Sequence, residues 1–405
     1  MDEKLYHNEN YWVSSYNYFD EVRANYNLPK TVKFHDVTLR DGEQSPGVAF
    51  RADEKVHIAK LLDELGVDRI EVALPAVSEE DKLATKGVVA LKPKAQVFVL
   101  CRGIASDVEL ALECGVDGII LELPVGIPRL KYQFSHWTED DVVEKASHWA
   151  KYAKSKGLEV VLFPMDCTRA RPEFFTRVLR EVGALPEVDG VSLVDTSGSL
   201  TPQAAVYLVK QMKEITHKRI EVHTHTDFGM GVATSLAALT AGADVIHASI
   251  GGLGERTGNT PLDEAAVSAK ALYGVDSNIK FEKLYNISHE ILAISKFQVA
   301  QSKPVIGERA FTRESGMGVD LVKKQPLALF GVTPSWVGQQ PRYVLGKKSG
   351  ISSVEMKQED LGLSELSDEQ KTSVLNKVKD LGLQKKGLVT DAEFTSIHKE
   401  VIGKQ

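Results

Sequence analysis

With 405 residues, 43% of them hydrophobic and 26% charged, the chain has material for two or three domains, or for one large barrel with an appendage. A formal charge of −7 gives no general pull toward nucleic acid or an acidic membrane surface. No apolar run approaches the ~20 residues that span a bilayer, the acidic start "MDEKLYHNENYW" is not a secretory signal, and three scattered cysteines without CxxC spacing read as reduced core thiols of a cytoplasmic protein.

Residues 1–30 carry five of the eleven tyrosines, with Trp12 and Phe19. Disordered tails are poor in aromatics, so this stretch is expected to be an arm packed on a neighbour. From there to 275, β-branched strands are predicted near 33–38, 68–73, 96–100, 118–122, 158–163, 190–194, 219–223 and 245–250. Amphipathic helices are predicted at 53–65, 78–91, 105–114, 139–156, 172–183, 202–215, 230–241 and 260–272. "LLDELGVDRIEVALP", "ALECGVDGIILELP" and "ALTAGADVIHASIGG" repeat one unit, a helix end, a glycine and a strand; Gly66, Gly115 and Gly242 fall where a helix C-cap needs positive φ. Strands such as "GIILEL" are nearly continuous apolar runs, as parallel strands buried on both faces are. Eight such units predict a (β/α)8 TIM barrel over 31–275. An open doubly wound sheet would want a Gly-rich phosphate fingerprint after its first strand, and none is there. Residues 276–405 read as smaller, mostly helical subdomains.

The C-terminal ends of barrel strands are where this fold does chemistry, and here they are densely polar. Strand one ends on Arg40-Asp41, strand six on Asp195-Thr196, strand seven on "HTHTD", and strand eight on "GGLGERTGN". His223 and His225 lie two apart and so share a face. With Asp41 from the adjoining first strand they make a two-nitrogen, one-carboxylate set suited to Mg²⁺, Mn²⁺, Fe²⁺, Co²⁺ or Zn²⁺. Asn259 would add a fourth oxygen or a supporting hydrogen bond. Arg40 is placed to stabilise charge on a carbonyl; its structural alternative is an ion pair, with Glu255 as a candidate partner. Thr196 suits a carboxylate oxygen, or else caps a helix.

"TLRDGEQ", "HTHTDFG" and "GLGERTGN", in that order, resemble the DRE-TIM metallolyase superfamily, and the resemblance spans roughly residues 32–400. Within it the chain resembles the Claisen-condensing branch of 2-isopropylmalate, homocitrate and citramalate synthases. The resemblance implies a divalent metal held by Asp41, His223 and His225 with Asn259 nearby. It also implies Arg40 on the carbonyl of a 2-oxo acid, Thr196 on its carboxylate, and acetyl-CoA as the co-substrate whose CoA is released. Gln44 and Glu255 join Arg40 as catalytic candidates, and Arg256 is a substrate-binding one. The lyase branch has a cysteine-bearing loop where this chain has Glu255 and Arg256.

Several positions depart from the synthase pattern. "FTRESGMG" puts Arg313 and Gly318 where the synthases have histidines, and Lys348 replaces the histidine of LGKHSG. The stretch after strand four is "LELPVGIPRLKYQF", and an expected Glu-Asp pair after strand five is Met165-Asp166. Glu122 is the candidate for the lost base, and Arg313, Arg129 and Lys131 are candidates for binding an anionic substrate arm. The competing readings are a carbon–carbon lyase or aldolase on the same metal and arginine, and a non-catalytic binding homologue. A homodimer with exchanged segments is expected. The chain ends before the leucine-sensing domain of many isopropylmalate synthases, so leucine is expected to leave steady-state turnover unchanged; potent inhibition would contradict this.

Overall fold

In the computed structural model, which describes residues 2–403, eight parallel strands pair in sequential order and close into a barrel. They are β1 (Lys33–Asp36), β2 (Arg69–Glu71), β3 (Gln96–Cys101), β4 (Gly118–Pro124), β5 (Glu159–Met165), β6 (Gly190–Asp195), β7 (Arg219–Thr224) and β8 (Val245–Ala248). Closure runs through β1 and β8, with Lys33 opposite Val245 and Asp36 opposite Ala248. The barrel helices are α1 (Ala52–Leu65), α2 (Glu79–Ala90), α3 (Ala105–Cys114), α4 (Glu139–Ser155), α5 (Pro172–Val178), α6 (Pro202–Thr216), α7 (Gly231–Thr240) and α8 (Leu262–Tyr273), followed by α9 (Leu284–Ser295). Every predicted strand and helix of the barrel is present. A six-residue helix, Ile127–Tyr132, is additional and lies between β4 and α4.

The repeated glycines do what their positions required. Gly66 and Gly115 cap α1 and α3 at φ 96° and 75°, and Gly242 has φ 96° after α7. At Gly66 a β-carbon would also come within 2.2 Å of the Asn278 carbonyl oxygen. All three cysteines are free and buried.

The barrel interior is less apolar than its strands suggest. Arg69, 1% exposed, donates to Glu221 at 2.8 Å and Glu159 at 2.6 Å, and Arg219 donates to the same two carboxylates. Glu221 also bonds His247 at 2.8 Å, His247 stacks on His35 with ring centroids 4.3 Å apart, and His35 bonds Glu71 at 3.2 Å. Burying ions is costly unless each is paired. The members of this column supply one another's partners.

The described residues divide into two compact units, residues 16–298 with the barrel, and residues 2–15 with 299–403. The aromatic arm is shared between them, and its two buried tyrosines pack on their own chain. Tyr18 belongs to the barrel unit, donates to the Ala271 carbonyl at 2.9 Å and lies under Arg23. Tyr11 belongs to the second unit and packs on Trp336, 5.6 Å between centroids. Trp12, Tyr16 and Phe19 stay exposed. The second unit pairs β9 (Thr312–Arg313) with β10 (Arg342–Tyr343) and adds α10 (Gly316–Lys324), α11 (Ile351–Asp360), α12 (Asp368–Lys385) and α13 (Asp391–Ile402). Its core gathers Leu345, Val354, Val374, Val378 and Phe394. No helix among the described residues is long and apolar enough to cross a membrane.

Gly66→Ala combines a left-handed backbone with a backbone clash, so it should lower unfolding free energy by about 2 kcal/mol or more. Urea unfolding at unchanged slope would read this directly.

Candidate metal centre and active site

Each polar group at the barrel mouth is delivered by a strand end. After β1 the chain turns tightly: the amides of Arg40, Asp41 and Gly42 all donate to the Val37 carbonyl, which turns Arg40 and Asp41 over the barrel. β7 ends at Thr224, and His225 continues it, bridged to Asn259 in the loop after β8. The outcome is a cavity of about 210 Å³ lined by Arg40, Asp41, Gln44, Glu122, Thr196, His223, His225 and Glu255, with Arg129, Gln133, Leu100, Phe163, Met165 and Val194 completing the wall. Nine residues singled out from the sequence as site groups, Arg129 among them, thus share one cavity.

At its floor, Nε2 of His223 is 3.2 Å and Nε2 of His225 3.7 Å from Asp41 Oδ2. One ligand atom from each of the three residues falls within 4.8 Å of the others, and all three are buried. Asp41 Oδ2 and Asn259 Oδ1 are buried without a hydrogen donor, while Asn259 Nδ2 is committed to the Leu253 carbonyl at 3.0 Å. Burial opposes ionisation of Asp41, but Arg40 and the two imidazoles outweigh it and hold its carboxyl well below the usual range. Burial also lowers both histidines, His225 to about 4, with Asp41 only partly offsetting it. Two neutral imidazoles, an ionised carboxylate and a free amide oxygen are the donor set a divalent cation takes. These residues fit such an ion.

Arg40 is nearly buried and is held by Glu71, not Glu255. Its Nε donates to Glu71 Oε1 at 2.7 Å and Nη2 to Oε2 at 3.2 Å, leaving Nη1 3.5 Å from Asp41 Oδ1. Burial pushes the Glu71 carboxyl up, but Arg40 and His35 together bring it down to about 2. Glu71 was not singled out from the sequence. The signal was present: it ends β2, beside the strand that carries Arg40, as the one charge in "IEVALP". Glu255 instead pairs with Arg256.

Thr196 does not cap a helix; Thr201 caps α6. Thr196 Oγ1 accepts the Asp166 amide at 3.0 Å, so its own hydroxyl hydrogen remains available to the cavity. Arg256 adopts φ 54°, donates to Asp227 at 2.9 Å and bonds the Thr196 carbonyl, tying the loop after β8 to the ends of β6 and β7. Glu122 lines the opposite wall. Burial raises its carboxyl to about 7, Glu71 and Asp41 adding to the rise and Arg40 and Arg129 opposing it. Arg129 donates to Gln133 at 2.8 Å, and Lys131 is exposed over the Tyr132 ring. Arg313 lies in the second unit, on β9.

A second cavity, of about 420 Å³, shares Arg40, Gln44 and Leu100 with the first and is otherwise lined by Val48, Ala73, Leu74 and Val77, with Lys55, Glu43 and Asp81. Lys55 is buried and bonds Glu43 at 2.6 Å and Asp81 at 2.7 Å.

Residues 31–291 match the HMGL-like family and residues 305–386 match the homocitrate synthase post-HMGL domain-like family. The chain is 38% identical to a homocitrate synthase, AksA, of Methanopyrus kandleri over 95% of this chain and 96% of that protein. It is 36% identical to a 2-isopropylmalate synthase of Methanocaldococcus jannaschii over 94% of this chain and 73% of that one. An (R)-citramalate synthase, CimA, of the same organism is 38% identical over 92% and 75%. Among solved structures, a Bacillus subtilis HMG-CoA lyase superposes with a TM-score of 0.60 at 20% identity, over 66% of this chain and 95% of that one. That likeness shows the fold.

Removing the Glu71 carboxylate would strand the Arg40 guanidinium, and breaking a buried pair in this way costs about 3–5 kcal/mol. Glu71→Ala should therefore unfold at markedly lower urea concentration than wild type, where Glu255→Ala should not.

Proposed function

As a member of the HMGL-like family, in the Claisen-condensing branch with the 2-isopropylmalate, homocitrate and citramalate synthases, the chain condenses an acyl-CoA with a 2-oxo acid, and we propose that the cavity at the barrel mouth performs this reaction with the residues that line it. The observation that carries the assignment of residues is the convergence of Asp41, His223 and His225 beside Arg40 in one buried pocket. Asp41, His223, His225 and Asn259 would hold a divalent cation of the Mg²⁺, Mn²⁺, Co²⁺ or Zn²⁺ type. Such an ion supplies Lewis acidity to the carbonyl and carboxylate oxygens of a 2-oxo acid.

The remaining work belongs to side chains. Glu71 holds the Nε–Nη2 edge of the Arg40 guanidinium, so Nη1, 3.5 Å from Asp41 Oδ1, is the nitrogen left to meet a carbonyl oxygen as it gains negative charge. The Thr196 hydroxyl, already oriented by the Asp166 amide, donates to the carboxylate of the oxo acid. Acetyl-CoA is the expected donor, and its thioester arm is assigned to the cavity between Val48 and Val77, which opens on the first beside Gln44 and Leu100. Glu122 is the base: it lines the first cavity beside Arg40, Gln44 and Leu100, and among the residues lining that cavity no other one from β4 or β5 is a carboxylate, Met165 being a thioether. It removes a proton from the α-carbon of the acyl group. The resulting carbanion adds to the oxo carbonyl, Arg40 receives the developing alkoxide charge, and hydrolysis of the thioester releases CoA. Arg256 and Glu255 shape the loop that carries Asn259.

Thiol release from acetyl-CoA with Mg²⁺ or Mn²⁺, across glyoxylate, pyruvate, 2-oxoisovalerate, oxaloacetate and 2-oxoglutarate, tests the reaction. One acceptor should give CoA release that chelation abolishes and added metal restores; silence with every acceptor while metal is bound would refute the assignment.

A base must be deprotonated to act, and Glu122 sits well above the ordinary carboxylate value. The rate should therefore rise with pH through a midpoint near 7, its limb lost in Glu122→Gln together with about 10²-fold or more of kcat. A Gln variant with wild-type kcat and the same profile would remove Glu122 from the mechanism.

A further inference from the structure

Outside the barrel, the second unit holds a cavity of about 430 Å³ between the Gly346–Ser349 turn and the C-terminal end of α12. Its charged lining is Arg309, Lys347, Lys348 and Lys386 against one carboxylate, Glu314. Glu314 is already engaged, accepting the Lys348 amide at 2.8 Å. None of the four cationic side chains forms an ion pair among the described residues. Their neighbours do: Lys385 bonds Glu393 at 2.6 Å, Lys371 bonds Glu355 at 2.7 Å, Lys357 bonds Asp391 at 2.9 Å and Lys377 bonds Glu400 at 3.0 Å. In a chain of net charge −7, four cations without an ion pair among the described residues surround one concavity that holds a single carboxylate.

The backbone holds this arrangement in place. A β-carbon at Gly382 of α12 would lie 2.9 Å from the Lys347 nitrogen and 3.0 Å from the Gly346 α-carbon, so helix and turn meet directly through main chain. The turn is closed by Ser349, whose hydroxyl accepts the Gly346 amide at 3.0 Å. Lys386 caps α12 at φ 51°, a left-handed conformation that favours glycine, yet the position carries a lysine.

We propose that this cavity is a binding site for a phosphate-rich anion, of the pyrophosphate type carried by nucleotides. An arginine fork with three ammonium groups matches several phosphate oxygens at once, and a single carboxylate-bearing ligand would leave most of them unmet. Two sources share that chemistry: CoA itself, and a separate phosphorylated effector. The site itself does not rest on the condensing reaction; only the acyl-CoA source does.

The test is calorimetry on the full chain with inorganic pyrophosphate as the probe at physiological salt. Wild type should bind saturably, one per chain. The double variant Lys347→Ala, Lys386→Gly should lose at least tenfold in affinity; its glycine relieves the left-handed cap, so misfolding would not account for the loss. Lys347→Arg should retain binding, and Lys371→Ala, which touches a paired lysine, should leave it unchanged. CoA that displaces pyrophosphate, with a raised acyl-CoA KM and unaltered kcat in the double variant, identifies the substrate as the source. Pyrophosphate binding that CoA does not displace identifies an effector. Absence of saturable binding, or equal affinity in wild type and the double variant, overturns the proposal. A chain without turnover on any acceptor would refute the reaction while leaving the pyrophosphate result to stand by itself.

Discussion

The Glu71 carboxylate, fully buried at the end of β2, receives two hydrogen bonds from Arg40 and one from His35, and through them joins the floor of the site to the charged column inside the barrel. A guanidinium at the mouth of a barrel has several rotamers open to it. Two bonds on one face of the group remove that freedom and leave one nitrogen directed at Asp41. Below, the stacked rings of His35 and His247 and the Glu221–Arg69–Glu159 pairs keep any of these ions from being left alone in low dielectric. The orientation of the residue that meets the carbonyl is thus settled before any ligand arrives, which is what electrostatic preorganisation requires.

The barrel was legible because its signals are local. Helix-terminal glycines, continuous apolar runs and the alternation of periods each act over a dozen residues, and the structure follows them closely. The donor set was legible for a related reason: two histidines two apart on one strand, and an aspartate at the end of the strand that closes the barrel, are read from spacing and topology alone. What escaped was long-range pairing. The sequence offers Glu255 as a partner for Arg40 because both stand in polar loops, whereas the carboxylate that holds Arg40 sits inside an apolar strand and is evident only when β1 and β2 lie side by side. A helix follows Thr196, which makes it a candidate cap in the sequence, but the turn after β6 gives the cap to Thr201. Arg313 stands on β9 of the second unit, and its candidacy for an anionic substrate arm rests on the motif that carries it.

The aromatic arm illustrates the same limit. Composition alone argues for packing in the first thirty residues, and Tyr11 and Tyr18 are buried. Which tyrosine serves which unit depends on partners more than two hundred residues away, Ala271 for Tyr18 and Trp336 for Tyr11.

The two sides of the pocket differ in how they are fastened. On one side, the Ser45 hydroxyl bonds the Gly254 main chain, Thr224 bonds Thr260, and Arg256 spans Asp227 and the Thr196 carbonyl, so the ends of β6, β7, β8 and β1 are stitched into a single piece. On the other, Arg129 bonds only Gln133 of its own short helix, and the side chains of Glu122 and Met165 have no hydrogen-bonded crosslink to the stitched half among the described residues. Changing one residue on the stitched side disturbs several strands at once, while a change at Glu122 or Met165 breaks no side-chain hydrogen bond among the described residues. The pocket is therefore lopsided: a substitution on the β4 and β5 wall acts on the bound acyl group and on its base, while the floor of Asp41, His223 and His225 keeps its shape.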